Sequence, residues 1–239
     1  MDILYITGAG VSAESGIPTF RGEDGFWTIG SKNYTPMEMA TRQMYISQPA
    51  EFLKWYYHRF ATYRHHGPND VHHWLADKNL ITQNIDGLDG KAGNQNYIPI
   101  HGRLDKVTLF HEQGPVVDIF DAPWKEIDEA NTVNSLLEHF KINGTPELNK
   151  SLKPFVLLFD EFYTDLYRMD EAQKRMMQAG KMVFMGTSFS VNITNIALDI
   201  AMTNNIEVEV VDPEPIILPY KNVQYFKMSA SEYIKKQPS

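Results

Sequence analysis

The chain of 239 residues contains no cysteine. This absence excludes disulfide bonds, thiolate nucleophiles, cysteine-bound iron–sulfur clusters and zinc sites built from cysteine. Basic residues are also scarce, since 22 Lys and Arg stand against 30 Asp and Glu, for a formal net charge of −8. An acidic chain is poorly suited to sequence-independent nucleic-acid binding, because the neutralisation of phosphates requires clustered Lys and Arg. We therefore expect no nucleic-acid partner.

Long apolar runs are missing as well, and none approaches the length that crosses a membrane. We therefore expect no membrane partner. An apolar run with β propensity begins at Ile3, which leaves no room ahead of it for a signal or transit peptide. With 43% hydrophobic and 22% charged residues, the composition is that of a globular protein. The sequence predicts a soluble, cytoplasmic protein with one sizeable domain, while its oligomeric state stays open.

Short apolar runs separated by helical patterns make up most of the chain. The runs that predict strands are residues 3–7, 80–82, 97–100, 155–159, 182–185, 206–211 and 223–226. Large residues recur at helical spacing in residues 49–63, 70–77 and 193–202. Because strands alternate with helices, the sequence predicts an α/β fold with a Rossmann-like, doubly wound parallel sheet.

Residues 109–153 interrupt this alternation. The segment is polar and in places acidic, with one helical pattern near residues 133–140. We interpret it as a small module inserted between two strands of the sheet. The Rossmann-like part of a single domain would then comprise residues 1–108 and 154–239.

A glycine-rich loop follows the first predicted strand. The residues are Gly8-Ala9-Gly10-Val11-Ser12, and a helix-like segment begins with them. Glycines at such a place let the backbone turn sharply and approach a pyrophosphate at a helix N-terminus. Taken alone, the loop is explained about as well by a structural turn.

Four segments together resemble the signature of the sirtuins, which are NAD-dependent protein deacylases. They are residues 8–21 (GAGVSAESGIPTFR), residues 82–88 (TQNIDGL), His101-Gly102 and Gly186-Thr187-Ser188. Their order and spacing also resemble those of the family, over nearly the whole chain. The resemblance implies that NAD is a co-substrate and that acyl-lysine proteins or peptides are the partners. It implies nicotinamide, O-acyl-ADP-ribose and free lysine as products.

The resemblance also implies which residues bind NAD. Phe20 would shield the reactive ribose carbon from water, and Arg21 would pair with a phosphate. The other implied contacts are Gly8, Ala9, Gly10 and Ser12 at the phosphates, Gln83 at the ribose, Asn84, Ile85 and Asp86 at the nicotinamide end, and Gly186, Thr187, Ser188, Asp212 and Ala230 at the second half of NAD. Without the resemblance, Asp86 is better explained as an N-cap of the next helix.

His101 is the candidate general base. It follows the predicted strand 97–100, and an imidazole titrates near neutral pH, so it can accept the proton of a ribose hydroxyl. The resemblance implies this role, and it adds Asn84 and Asp86 as the other catalytic residues. For the remaining histidines, including the pairs His65-His66 and His72-His73, we expect surface or packing positions.

Tyr56 and Arg59 predict the choice of acyl group. They are three residues apart in the predicted helix 49–63 and therefore share a helix face. Arg can hold a carboxylate through two hydrogen bonds and Tyr can add a third. The pair resembles the Tyr-x-x-Arg element of the desuccinylase and demalonylase branch, which implies a preference for succinyl, malonyl or glutaryl lysine. The alternative is an amphipathic helix that exposes Arg59 by chance.

The sequence departs from the sirtuin pattern in the inserted module. Sirtuins usually carry a structural zinc ion on four cysteines there, and the positions of the first pair fall near Leu109 and Glu112. Because this chain has no cysteine, we expect no zinc and a module held together by packing, with Phe120, Trp124, Leu136 and Phe140 among the packing residues.

A second departure concerns the peptide-binding segments. Phe159-Asp160-Glu161 stands where the family has Phe-Gly-Glu, and Ile193 stands where it usually has Pro. The resemblance implies that Phe159, Glu161 and Val191 bind the substrate. Replacing Gly by Asp restricts the backbone and adds a charge, so we expect an altered peptide preference.

Two other functions stay open. The altered peptide segments permit an NAD glycohydrolase or an ADP-ribosyltransferase, which share the first chemical step and differ in the acceptor. A non-catalytic NAD-binding scaffold is the second alternative. The presence of His101, Asn84 and Asp86 argues against a scaffold, because a sensor needs no general base.

Overall fold

The computed structural model describes residues 2–19 and 34–237, and its strands form two sheets. The strands in chain order are β1 (Ile3–Thr7), β2 (Asn79–Thr82), β3 (Ile98–Pro99), β4 (Gly102–Leu109), β5 (Ile119–Asp121), β6 (Leu152–Val156), β7 (Lys181–Met185), β8 (Glu207–Val211) and β9 (Val223–Phe226). The α-helices are α1 (Pro36–Met39), α2 (Arg42–Ser47), α3 (Pro49–Tyr63), α4 (Asp70–Trp74), α5 (Leu88–Lys91), α6 (Thr132–His139), α7 (Met169–Gln178), α8 (Asn192–Thr203) and α9 (Ala230–Ile234).

The chain folds into two compact units. The larger unit comprises Met1–Thr19, His66–Ile100 and Arg168–Ser239, and the smaller one comprises Phe20–His65 and His101–Tyr167. This division differs from the predicted one, in which residues 109–153 alone left the main sheet. The smaller unit is larger than expected because helices α1 to α3 and strands β4 and β6 also belong to it.

A six-stranded parallel sheet forms the centre of the larger unit, in the order β3-β2-β1-β7-β8-β9. The two central strands are apolar on both faces, and Leu4, Ile6 and Phe184 are fully buried. The predicted doubly wound parallel sheet is confirmed. The carboxyl ends of parallel strands lie at one edge of a sheet, so the loops that follow β1, β2, β7 and β8 begin at the same edge.

An antiparallel sheet in the order β5-β4-β6 belongs to the smaller unit. The sequence predicted a strand at residues 155–159 within the parallel sheet, and this prediction is wrong. The strand is β6, and it pairs with β4 in the antiparallel direction. A short apolar run shows that a strand is buried, but it carries no information about the partner or the direction of pairing.

Aromatic packing fills the interior of the smaller unit beside α3 and α6. Trp124, Leu136 and Phe140 are buried, and the rings of Trp124 and Phe140 lie 4.7 Å apart. Packing of these residues was predicted, whereas the same prediction for Phe120 is wrong, because Phe120 is 47% exposed on β5.

Within residues 2–19 and 34–237, no group of three or more His, Asp and Glu side chains could hold a metal ion. None of the helices in these residues is long and apolar enough to cross a membrane.

Candidate functional site

The glycine-rich loop after β1 lies against the loop after β7. Gly8 N donates a hydrogen bond to Met185 O at 3.0 Å, and Gly10 N donates to Gly186 O at 2.9 Å. A Cβ atom on Gly10 would lie 2.6 Å from the Cα of Gly186, and Gly186 itself has a φ of +58°. Side chains are therefore excluded from this contact. The chain then continues from Ala9 to Ser15 as a 3-10 helix.

Ser12, Asn84 and Asp86 form a hydrogen-bonded group in the larger unit. The Asn84 side-chain amide donates to Gly8 O at 3.0 Å and to Ser12 Oγ at 3.1 Å. The Ser12 hydroxyl in turn donates to Asp86 Oδ2 at 2.7 Å. The other Asp86 oxygen accepts from Leu88 N at 2.9 Å, at the start of α5. Asp86 thus binds the first backbone N–H of α5, close to the capping role that the alternative interpretation gave it, and contacts the glycine-rich loop through Ser12. Its contact with nicotinamide stays a prediction.

His72 belongs to the same group, although its sequence pattern did not indicate this. Its ring is fully buried, with Nε2 at 3.4 Å from Ser12 Oγ and Nδ1 at 3.0 Å from Asn69 Oδ1. Burial lowers the pKa of His72, and the charge of Asp86 opposes this shift. The sequence did contain one indication of the contact between Asn69 and His72, because the two residues have the spacing of a capping box at the start of α4.

Gln83 and Thr187 connect the ends of β2 and β7. Gln83 Nε2 donates to Thr187 Oγ1 at 3.1 Å, and Thr187 is buried. Ser188 Oγ lies 2.7 Å from Ser190 Oγ, and Ile85 is half-buried between Asn84 and Asp86. The structure therefore gathers the predicted residues 83–86 and 186–188 at the carboxyl edge of one sheet.

The remaining predicted residues of the larger unit occupy the ends of other elements. Asp212 directly follows β8, and its Oδ1 accepts from Glu214 N at 2.8 Å. Ala230 is the first residue of α9 and is half-buried. Val191 is the N-cap residue of α8, and its carbonyl accepts from the Thr194 hydroxyl at 2.7 Å. Phe20 and Arg21 lie outside the described residues.

Asp89 is a buried carboxyl group on α5, and it is only 1% exposed. Its Oδ1 has no hydrogen-bond partner among the residues that the structure describes. Burial, with a smaller contribution from the negative charge of Asp86, raises the pKa of Asp89 to about 7. A substantial part of the Asp89 population is therefore neutral at physiological pH.

His101 belongs to the smaller unit, where its backbone is tightly held. Its carbonyl accepts from Leu157 N at 2.9 Å. The next residue, Gly102, has a φ of +82°, and a Cβ atom there would lie 2.1 Å from Phe155 O. The ring of His101 is half-buried, with Nε2 at 2.9 Å from the hydroxyl of Tyr163.

Tyr56 and Arg59 are both buried on α3, at 0% and 3% exposure. The Arg59 guanidinium lies 3.3 Å from the centre of the Trp55 ring, and its Nη1 donates to Trp55 O at 3.0 Å. Burial lowers the pKa of Arg59 to about 10, so the side chain stays charged at neutral pH. The hydroxyl of Tyr56 is buried without a hydrogen-bond partner among the described residues. The alternative interpretation, an amphipathic helix that exposes Arg59 by chance, is therefore wrong.

Glu161 points into the smaller unit and is held by several protein groups. Its carboxylate lies 3.0 Å from Lys153 Nζ and 3.3 Å from Arg42 Nη1, and it accepts from Leu158 N at 3.1 Å. Burial lowers the pKa of Lys153, and the charge of Glu161 opposes this shift. Asp160 accepts from the backbone of Arg42 and Gln43, at 2.6 and 3.1 Å, and so caps α2. Phe159 is 48% exposed.

Comparison with known proteins gives a consistent set of relatives. The model of the Sir2 family matches residues 8–193. The "NAD-dependent protein deacylase 1" of Caldanaerobacter subterraneus subsp. tengcongensis is 32% identical over 98% of this chain and 91% of its own length. The "NAD-dependent protein deacylase sirtuin-5A, mitochondrial" of Xenopus laevis is 31% identical over 78% of this chain and 64% of its own. A solved complex of a Sir2 homologue with NAD matches with a TM-score of 0.73 at 27% identity, over 98% of this chain and 86% of the other.

Proposed function

The chain belongs to the Sir2 family, and from this we infer that it is an NAD-dependent protein deacylase. It consumes NAD, water and an acyl-lysine protein or peptide, and it releases nicotinamide, O-acyl-ADP-ribose and free lysine. The match of the family model to residues 8–193 carries this inference. The sirtuin resemblance of the sequence is confirmed.

We assign the phosphates of NAD to the glycine-rich loop. The close approach of Gly10 to Gly186 leaves no room for a side chain at either position, and the neighbouring Ser12 hydroxyl accepts a hydrogen bond from Asn84. Glycines at such a turn let the backbone approach a pyrophosphate closely. Asn84 and Asp86 are assigned to the nicotinamide end, and Ser188, Asp212 and Ala230 to the adenosine end.

His101 acts as the general base in this proposal. The acyl oxygen attacks the ribose carbon C1′ as nicotinamide leaves, and His101 then accepts the proton of a ribose hydroxyl. A half-buried imidazole with a fixed backbone is suited to this task, because the ring is accessible and its position is restricted. The absence of cysteine supports the further proposal that the protein works without the zinc ion of its family.

We further propose that the preferred acyl group carries a carboxylate. The charged guanidinium of Arg59 and the hydroxyl of Tyr56 are both buried on α3, and this hydroxyl has no hydrogen-bond partner among the described residues. A bound carboxylate would accept a hydrogen bond from this hydroxyl and would carry a charge opposite to that of the guanidinium. The similarity to a relative named sirtuin-5A supports this choice.

An assay of nicotinamide release tests the proposed function. Purified protein is incubated with NAD and with acetyl-, malonyl-, succinyl- or glutaryl-lysine peptides, and the products are read by mass. Release that depends on an acyl peptide, with matching formation of O-acyl-ADP-ribose, supports the deacylase. Release at the same rate without a peptide would instead identify an NAD glycohydrolase or a transferase that uses another acceptor.

The acyl preference is tested in the same assay with Arg59→Met, which keeps the length of the side chain and removes its charge. We expect the ratio of succinyl to acetyl turnover to fall about tenfold or more, because one buried charge-assisted pair is lost. An unchanged ratio would contradict the role of Arg59.

A further inference from the structure

Tyr163 contacts the proposed base through the ring nitrogen Nε2 of His101. Its hydroxyl oxygen lies 2.9 Å from this nitrogen, and the two rings are tilted by 32° with their centres 5.9 Å apart. This is the distance of an ordinary hydrogen bond. Both residues belong to the smaller unit.

The loop that carries Tyr163 is fixed on both sides of it. On one side Asp160 caps α2 and Glu161 is bonded to Lys153. Phe162, the residue before Tyr163, donates its N–H to the side chain of Gln113 at 2.8 Å. On the other side, the carbonyl of Thr164 accepts from Tyr167 N at 3.0 Å. Because its neighbours are tied down, Tyr163 is presented to His101 at a defined place.

The backbone of His101 is fixed by the same part of the unit. Leu157 N donates to the His101 carbonyl, and Phe155 O leaves no room for a side chain at position 102. The backbone therefore sets the position of the ring, and Tyr163 adds a constraint on its rotation about χ2. In the tautomer in which Nε2 carries the hydrogen, the Tyr163 hydroxyl accepts from Nε2, and Nδ1 is the ring nitrogen that takes up a proton. The contact at Nε2 is therefore the same before and after His101 is protonated.

We propose that Tyr163 is a positioning residue for His101, accepting a hydrogen bond from Nε2–H and so holding the imidazole in the orientation in which the other ring nitrogen, Nδ1, accepts the ribose proton. This inference rests on the proposed deacylase function. It goes beyond that function because it assigns a role to a tyrosine that lies outside the four segments of sirtuin resemblance.

The order of the chemical steps allows a positioning role of Tyr163 to be distinguished from a merely structural one, by comparing nicotinamide exchange with deacylation. Nicotinamide leaves before the base acts, so the reverse of this step incorporates labelled nicotinamide into NAD without His101. A residue that acts through His101 should slow deacylation and leave this exchange in place. General disruption of the protein would lower both.

The experiment compares Tyr163→Phe with the wild type and with Tyr220→Phe. Tyr220 is a matched control because it also loses one hydroxyl, which contacts Asp199 at 3.4 Å in the larger unit. Deacylation of the best acyl peptide and nicotinamide exchange with the same peptide are measured together with the melting temperature. For Tyr163→Phe we expect deacylation to fall about tenfold, by the loss of one hydrogen bond, and exchange to stay within about twofold. Tyr220→Phe should change neither.

A second measurement does not depend on activity. In protein labelled with ¹⁵N-histidine, the Nε2 signal of His101, assigned with a His101→Asn variant, should shift in Tyr163→Phe. An unchanged Nε2 signal, or a deacylation rate equal to that of the wild type, would overturn the role of Tyr163 and leave the deacylase function intact. A parallel fall of exchange and deacylation would also overturn it. If the wild type turns over none of the acyl peptides, the proposed function fails, and the role of Tyr163 fails with it.

Discussion

At the scale of single residues, the sequence predicted the helix face that two buried side chains on α3 share, but not the contacts of either. Their spacing of three predicted that Tyr56 and Arg59 share a face, and both are buried. Arg59 stacks on Trp55, and the hydroxyl of Tyr56 has no hydrogen-bond partner among the residues that the structure describes. Both features depend on neighbours that spacing does not specify. The contact of His101 with Tyr163 could not be predicted from the sequence either, because the two residues are 62 positions apart.

Tyr56→Phe should separate stability from substrate choice. The variant removes a buried hydroxyl that has no partner among the described residues, so we expect the free energy of unfolding of ligand-free protein to stay equal or rise by up to about 2 kcal/mol. The ratio of succinyl to acetyl turnover should fall, because the hydroxyl is then missing when the carboxylate binds. Chemical denaturation and peptide assays measure the two effects. Tyr57→Phe, on the next position of α3, is the control and should leave the ratio unchanged.

Gly102→Ala should destabilise the protein strongly. A Cβ atom at this position combines a φ of +82° with a distance of 2.1 Å to Phe155 O. We expect a loss of about 4 kcal/mol or more, which is the range of severe steric change. The melting temperatures of two control variants, Gly114→Ala and Gly67→Ala, separate the cost of the backbone conformation from the cost of the steric clash. Gly114 has a φ of +117° and no atom within 4 Å of the added Cβ, whereas Gly67 has neither the positive φ nor a close atom. Equal effects at positions 102 and 114 would show that backbone conformation alone is responsible.

At the scale of elements, the sequence predicted the parallel sheet well and the smaller unit poorly. Runs such as residues 182–185 are apolar on both faces, which is the pattern of strands covered on two sides. The strand β6 has a similar run, yet its Lys153 is 2% exposed and pairs with Glu161. A buried ion pair cannot be recognised from local pattern, because its partner is specified only by the tertiary fold. The capping of α2 by Asp160 cannot be recognised from local pattern for the same reason.

The ion pair of Lys153 and Glu161 joins β6 to the loop after this strand. Breaking the pair should lower the free energy of unfolding. Glu161→Gln leaves the buried ammonium group without its counter-ion, and we expect a loss of about 3–5 kcal/mol. The double variant Lys153→Met with Glu161→Gln should lose less than the sum of the single variants, because neither charge is then left buried alone. A double-mutant cycle by urea denaturation measures this coupling. Strict additivity would contradict it.

At the scale of the whole molecule, the buried Asp89 should make stability depend on pH. Its pKa is raised from 3.8 to about 7, so the folded state retains a proton that the unfolded state releases. Stability is therefore highest with respect to this group below pH 4 and falls as the pH rises towards 7. A shift of about three units corresponds to about 4 kcal/mol. His72 acts in the opposite sense, since its lowered pKa destabilises the fold as the pH falls.

Asp89→Asn isolates the contribution of the carboxyl group. We expect the variant and the wild type to melt at similar temperatures near pH 4, and the variant to melt higher at pH 8, because Asn carries no proton to lose. The control is Asp118→Asn, at an exposed carboxylate, whose difference from the wild type should not grow with pH in this way. A gap between Asp89→Asn and the wild type that is equal at both pH values would exclude Asp89 as the source.

The place of β1 in the parallel sheet has a consequence for biosynthesis. This strand leaves the ribosome first, yet it lies between β2 and β7, and Ile3 pairs with Lys181. At typical elongation rates, the wait between the two strands is on the order of 10 to 35 s. During that interval the nascent chain presents an apolar edge with nothing beside it on one side. Chaperones that cover extended apolar segments are therefore expected to accompany the nascent chain until β7 has been synthesised.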